Sequence, residues 1–239
     1  DLNSYWASSG ATSMLPKFIK DAELRLPDFE DCMILRNTLE TSDVTGGGPE
    51  LFLYQSGYLT IKSCVGNVYH LGFPNEEVKQ ALYECVLPAL TMRQEADTQS
   101  LQAQLYQYLE YKELDKAMKA LKALVADVPY SNKKLASMDM EERYRLIIST
   151  ILNAIGLKVE VEHMLATGRI DLIAQTSRYI YVIELKLKNN GGKKAAIQQI
   201  LDNKYLEPFM ADKRKVIGLG IELDEEGKGI LDWEMVNKE

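Results

Sequence analysis

Glu184 and Lys186 stand two residues apart in the stretch "YIYVIELKLKNN" (179–190), and Asp171 precedes them in "RIDLIAQ". Two carboxylates that converge can bind a hard divalent cation such as Mg²⁺, which keeps several of its waters. Such an ion lowers the pKa of a bound water and stabilises charge on a phosphoryl oxygen. A neighbouring ammonium can orient that water or neutralise developing negative charge. The bland alternative is an ion pair at the solvent end of an edge strand, worth little to stability.

The elements around these residues decide whether they can meet. Tyr179–Ile183 is apolar or aromatic throughout, the composition of a strand buried on both faces. Side chains alternate along a strand, so Glu184 and Lys186 point the same way, roughly 6–7 Å apart. The turn at "TSR" joins this strand to the one carrying Asp171. Antiparallel pairing through that turn sets Asp171 opposite Val182–Glu184.

The second half of the chain reads as an ordered series of elements. "MEERYRLIISTILNAIG" is an amphipathic helix with Asp139 at its start and Gly156 at its end. Three strands follow, "LKVEVEHML", "RIDLIAQ" and "YIYVIELKL", then a helix over "KKAAIQQILDNKYLEPFMA". The strand "KVIGLGIEL" and a last short strand, "ILDWEMV", close the series around the turn "DEEGKG". That order predicts an α/β mixed sheet flanked by helices.

The first half is less regular. "SYWASSGATSMLPKFIKDAELRLPDFEDCMILRNTL" reads as short helices broken at Pro16 and Pro27, and "TSDVTGGGPE" as a loop. A hairpin is expected from Tyr58–Ser63 and Val68–Leu71 around Gly66-Asn67, then a helix capped by Asn75. Helices with such a wing predict a small winged-helix-like module. From Glu84 to Val128 the pattern is helical, with Leu114, Met118, Leu121 and Val125 on one stripe. That stripe is expected to pack on its own domain rather than on a partner helix. "PYSNKKLASMDM" marks the boundary, giving a mainly helical region over 1–128 and an α/β domain over 129–239.

Composition narrows the function classes. The 239 residues are 46% hydrophobic and 26% charged, as in a globular protein with a substantial core. No apolar run approaches the ~20 residues that span a bilayer, and the first ten residues lack a signal-peptide layout. Cys32, Cys64 and Cys85 form no CxxC pair, and His70 and His163 are the only histidines. Ordinary zinc-site spacing is therefore missing, and buried free thiols in a reducing, cytoplasmic setting are expected. The net charge of −7 is uneven: 1–125 carries −6 and 126–239 carries −1, while 184–215 holds eight basic and four acidic residues. An acidic chain disfavours indiscriminate nucleic-acid binding but leaves room for a basic face in the second half.

"GRIDL…YIYVIELKLK" resembles the signature of the PD-(D/E)XK nuclease superfamily, and the element order resembles its αβββαβ, restriction-endonuclease-like core. More specifically, "EERYRLIISTIL…GRIDLIA…YIYVIELKLK…AIQQILDNKY" is similar to the nuclease domain at the C-terminus of bacterial AAA-ATPase-like proteins. "YWASSGATSMLPKFIK", "LFLYQSGYLTIKS" and "LGFPNEEVKQAL" resemble the segment that joins ATPase to nuclease there. The resemblance implies a Mg²⁺- or Mn²⁺-dependent nuclease acting on nucleic acid, with DNA first. Asp171, Glu184 and the Leu185 carbonyl would be metal ligands, with Glu141 extending the shell. Lys186 would be the catalytic lysine, with Gln199 supporting the site and Arg169, Lys188 and Tyr205 near the substrate.

Each position also has a structural reading. Arg169 suits a salt bridge with Glu162, Tyr205 suits core packing, and Glu141 suits a helix N-terminus. One departure stands out: Tyr144-Arg145 occupies the place where many relatives have Tyr-His. No G-x-x-x-x-G-K-[ST] phosphate loop is present, so the ATPase partner is expected elsewhere on a longer chain. The alternative is a catalytically silent nuclease fold that binds nucleic acid or protein.

Overall fold

A computed structural model describes residues 26–40, 48–90, 95–126, 128 and 138–237. The helices expected around Pro16, most of the 41–50 loop and most of the boundary segment 129–137 lie outside the described residues. The chain divides into two compact units, Asp1–Ala89 and Leu90–Glu239.

In the first unit a 3₁₀ turn, Leu26–Glu30, leads into strand β1, Cys32–Leu35, and a single helical turn α1, Arg36–Leu39. Helix α2 is Gly48–Gln55, the hairpin is β2, Thr60–Val65, with β3, Val68–Gly72, and helix α3 is Glu76–Leu90. The hairpin and the Asn75 cap are as expected, the Asn75 side chain accepting from the Val78 amide at 2.9 Å. The expected helix over "CMILRNTL" is corrected, because Cys32–Leu35 pairs antiparallel with β3 and makes the sheet three-stranded, in the order β1-β3-β2. An edge strand's open hydrogen-bonding row can accept such a segment whatever its helical period.

The second unit holds the strands that bear Asp171, Glu184 and Lys186. Helices α4, Glu95–Glu110, and α5, Leu114–Ala126, precede α6, Met140–Ala154. Strands β4, Lys158–Leu165, β5, Gly168–Gln175, and β6, Tyr179–Leu187, follow, then α7, Gly192–Asp202, and β7, Lys215–Leu223, with β8, Ile230–Asn237. The five strands lie in chain order, antiparallel except for the parallel pair β6–β7. This mixed sheet with flanking helices is the restriction-endonuclease-like architecture.

The local reasons are direct. The Asp139 side chain accepts from the Glu141 and Glu142 amides, which caps α6, and Gly156 at φ +86 lets the chain leave its end. On α5 the stripe Leu114, Met118, Leu121 and Val125 is buried. The second unit thus begins at Leu90 and takes in α4 and α5, ahead of the 128/129 boundary expected from composition. The helix expected to run to "PFMA" stops at Asp202, since Lys204 takes φ +54 and Glu207–Phe209 is a 3₁₀ turn holding Pro208. Behind the sheet Ile180, Val182, Ile200, Tyr205, Leu206 and Val216 form one core cluster.

Candidate active site

The β5–β6 ladder is shorter than either strand. Its pairing runs from Gln175↔Ile180 only as far as Leu172↔Ile183. Beyond that point β5 stays with β4 down to Gly168, and β6 stays with β7 up to Leu187. The two strands part like a fork, and Asp171 and Glu184 sit at its crotch.

There the two side chains take over the bonds that the ladder gives up. The Asp171 amide donates to Glu184 Oε1 at 3.2 Å, and the Leu185 amide donates to Asp171 Oδ2 at 2.9 Å. Because the N–H and C=O of one residue face the same neighbour, the Leu185 carbonyl also looks toward β5. Asp171 is 9% exposed and Glu184 is wholly buried. Glu184 Oε2 has no hydrogen-bond partner. Burial, and then the charge of Asp171, push the Glu184 carboxyl up to about 8, while the Asp171 amide and the charge of Lys186 pull the other way.

A second group of residues holds the end of β6. Glu141, in the first turn of α6, accepts from the Leu187 amide at 3.0 Å and from Asn190 Nδ2 at 3.1 Å. Its other oxygen lies 3.9 Å from Lys186 Nζ. Among the described residues, no group of three or more His, Cys, Asp and Glu is arranged to hold a metal ion. Glu141 thus ties the first turn of α6 to the end of β6. Its oxygens serve the strand end and the lysine.

The remaining expected residues separate into a buried turn and an open rim. Tyr205 is 1% exposed, and its hydroxyl donates to the Arg169 carbonyl at 3.0 Å. Gln199 and Asn203 donate to that same hydroxyl, at 3.4 and 3.0 Å. Gly168, at φ +151, lets the turn lie on Tyr205, since a Cβ there would come within 2.5 Å of the hydroxyl oxygen. Tyr205 and Gln199 thus brace the turn that starts β5. Arg169 pairs with Glu162 at 3.0 Å, and Lys188 is exposed just past the end of β6.

Sequence reasoning assigned Arg145 no contact in the site. From α6 its Nη1 donates to Asp171 Oδ1 at 3.0 Å, and its Nη2 pairs with Glu162 Oε1 at 2.9 Å. The signal available was the departure at Tyr144-Arg145, which marked the position without revealing its partners. Tyr144 is buried, and its hydroxyl accepts from the Gly229 amide at 2.8 Å.

The donors at the crotch are hard oxygens, two carboxylates and a backbone carbonyl, and one carboxylate oxygen is buried without a partner. That set fits Mg²⁺ or Mn²⁺, with water completing the shell.

Comparison with known proteins agrees with this part of the chain. An uncharacterized protein in the vnfD 5′ region of Azotobacter chroococcum mcd 1 is 27% identical, in an alignment covering 97% of this chain and 46% of that protein. The chain thus spans about half the length of that relative. No solved structure matches. Residues 139–233, the segment that builds the fork and its helices, match the family model of the PD-(D/E)XK nuclease superfamily.

Proposed function

We propose that the second unit is a metal-dependent nuclease that hydrolyses phosphodiester bonds in nucleic acid, DNA in the first instance. The observation that carries this reading is Glu184: a fully buried carboxylate, against Asp171, with one oxygen left without a partner. An orphaned buried carboxylate oxygen is costly unless something positive completes it. Asp171, Glu184 and the Leu185 carbonyl would hold the cation. When bound, a Mg²⁺ or Mn²⁺ ion supplies an acidified water and stabilises charge on the phosphoryl group.

The other roles belong to the chain itself. Lys186, on the same strand as Glu184, presents an ammonium that can donate to the attacking water or to a non-bridging phosphate oxygen. Glu141 steadies that ammonium and fixes the end of β6 through the Leu187 amide. Gln199 and Tyr205 support the turn that delivers Asp171. Arg169 and Lys188, at the rim, suit contacts to flanking phosphates. The resemblance alone carries the further expectation that an ATPase domain works with this nuclease in a longer chain.

Cleavage of plasmid DNA and of single-stranded RNA by the purified chain tests the reading. Cleavage is expected with Mn²⁺ or Mg²⁺, stopped by EDTA, and lowered about 100-fold or more by Glu184→Gln. Cation-independent cleavage that survives in Glu184→Gln would sink the proposal.

One observation favours a second reading, a fold kept for binding without catalysis. The Arg145 guanidinium already occupies Asp171 Oδ1. Calorimetry separates the two readings, because a silent site takes up no Mn²⁺ and an active one takes it up in an Asp171-dependent way.

A further inference from the structure

Arg145 sits where a cation would act. Its side chain is 13% exposed, and that of its partner Asp171 is 12% exposed, so the pair is largely withdrawn from water. Asp171 has one oxygen committed to the Leu185 amide, and Arg145 holds the other. A divalent ion at the crotch would share Asp171 with a guanidinium in a place where little water screens their repulsion.

Glu162 offers that guanidinium a second anchor. It lies level with Asp171 across β4–β5, between the pairs Val161↔Leu172 and His163↔Ile170. Its φ of +53 is in the left-handed region, which non-glycine residues seldom adopt inside a strand. In that conformation its Oε1 meets both Arg145 Nη2 at 2.9 Å and Arg169 Nη1 at 3.0 Å. A guanidinium carries five N–H donors in a rigid fork, so it can release one carboxylate while keeping the other.

We propose that Arg145 is the resident counter-ion of Asp171, which a divalent cation must displace from Oδ1, and that Glu162 retains the displaced guanidinium at the edge of the fork. This rests on the reading of Asp171 and Glu184 as cation ligands. It makes Arg145 a positioning residue: it keeps the Asp171 carboxylate in place without the metal and sets how tightly the metal binds.

The test is Mn²⁺ binding by the full chain, measured by isothermal titration calorimetry and by the rise in melting temperature on adding Mn²⁺. Arg145→Met removes the competing charge and should tighten Mn²⁺ binding about tenfold. Arg145→Lys keeps a charge that cannot grip both carboxylates at once, and should fall between Arg145→Met and the unaltered chain. Both variants should melt lower without metal yet gain more on adding Mn²⁺. A site merely loosened by the substitution would do the reverse, and equal or weaker Mn²⁺ binding in the variants overturns the inference. If Arg145→Met does not fold, Arg145→Lys decides alone. Asp171→Asn keeps the two failures apart. If it binds Mn²⁺ as well as the unaltered chain does, the fork reading itself fails. If it loses Mn²⁺ while neither Arg145 variant binds more tightly, only the counter-ion inference fails.

Discussion

The two ends of the β5–β6 ladder each hold a buried glutamate, and the two are treated in opposite ways. At the closed end, Glu110 at the tip of α4 accepts from the Ser177 amide at 3.0 Å and from the Ser177 hydroxyl, with Arg178 Nε 3.3 Å away. Burial pushes the Glu110 carboxyl up, but the Ser177 and Thr176 hydroxyls, the Ser177 amide and Arg178 outweigh it and hold the carboxyl below its usual range. At the open end, Glu184 keeps one oxygen bare and is pushed up to about 8. A carboxylate whose oxygens are filled by its own chain is a fastener. One left incomplete at a place where two strands part keeps an oxygen that its own chain does not fill. Burial alone does not distinguish them; the inventory of donors does.

The sharpest way to break this comparison is to remove both carboxylates in turn and ask what each costs. Glu184→Gln should abolish most nuclease activity, about 100-fold or more, with the fold intact by circular dichroism. Glu110→Ala should leave Mn²⁺ binding unchanged. If Glu110→Ala loses cation binding while Glu184→Gln keeps it, the assignment of the two ends is reversed.

A pH series sharpens the same contrast. The folded-state pKa of Glu184 is raised, so without metal its neutral form suits the fold and its charged form opposes it. The associated stability is full below the unfolded value of ~4.3 and is lost as pH rises through about 8. In EDTA the melting temperature should therefore decline across that window, and Glu184→Gln should flatten the decline. Glu110, whose pKa is lowered, contributes in the other sense: its stability is present above the unfolded value and is lost as pH falls through the folded one. Mn²⁺ should oppose the alkaline decline, since it binds the ionised carboxylate. A melting temperature in EDTA that is level from pH 5 to 9 would contradict the burial of an incomplete Glu184.

How much of this was legible in the residues follows from how local each feature is. The E-x-K strand and its partner were readable because a three-residue turn and two-residue alternation place Asp171 opposite Glu184 with little freedom. Glu162 could be named as a salt-bridge partner of Arg169 because both flank one hairpin. Arg145 was visible only as an odd residue, since its bond to Asp171 depends on how α6 lies against the sheet. Glu110 was missed for the same reason: its partners are far along the chain, and nothing in "YLEYKE" marks it. The strand at Cys32–Leu35 was hidden because an edge accepts backbone, not pattern. Periodicity reports what an element does to its own neighbours, and these features are made by neighbours from elsewhere.

Glu110→Ala, considered for stability, comes next in size. It takes the acceptor away from the exposed Ser177 amide and hydroxyl, whose freed donors water can reach, a loss of about 0.5–1.5 kcal/mol. A lower urea midpoint with unchanged slope is the expected readout. An unchanged midpoint would mean that the closed end is held by Tyr181, whose hydroxyl donates to the Leu109 carbonyl, without help from Glu110.

The smallest expected effect belongs to Glu141, and it bears on where the cation shell ends. Glu141→Gln keeps an oxygen for the Leu187 amide and for Asn190, and removes only the negative charge 3.9 Å from Lys186 Nζ. A partly exposed pair of this kind is worth about 0.2–1 kcal/mol, so kcat should fall by no more than about fivefold. KM and the Mn²⁺ dissociation constant should not move, because the carboxylate touches the lysine and the strand end rather than the crotch. A metal ligand behaves differently, since losing its charge would weaken Mn²⁺ binding by an order of magnitude or more while leaving the lysine in place. Calorimetry on Glu141→Gln thus decides whether the cation is held by Asp171 and Glu184 or whether the shell reaches across to α6.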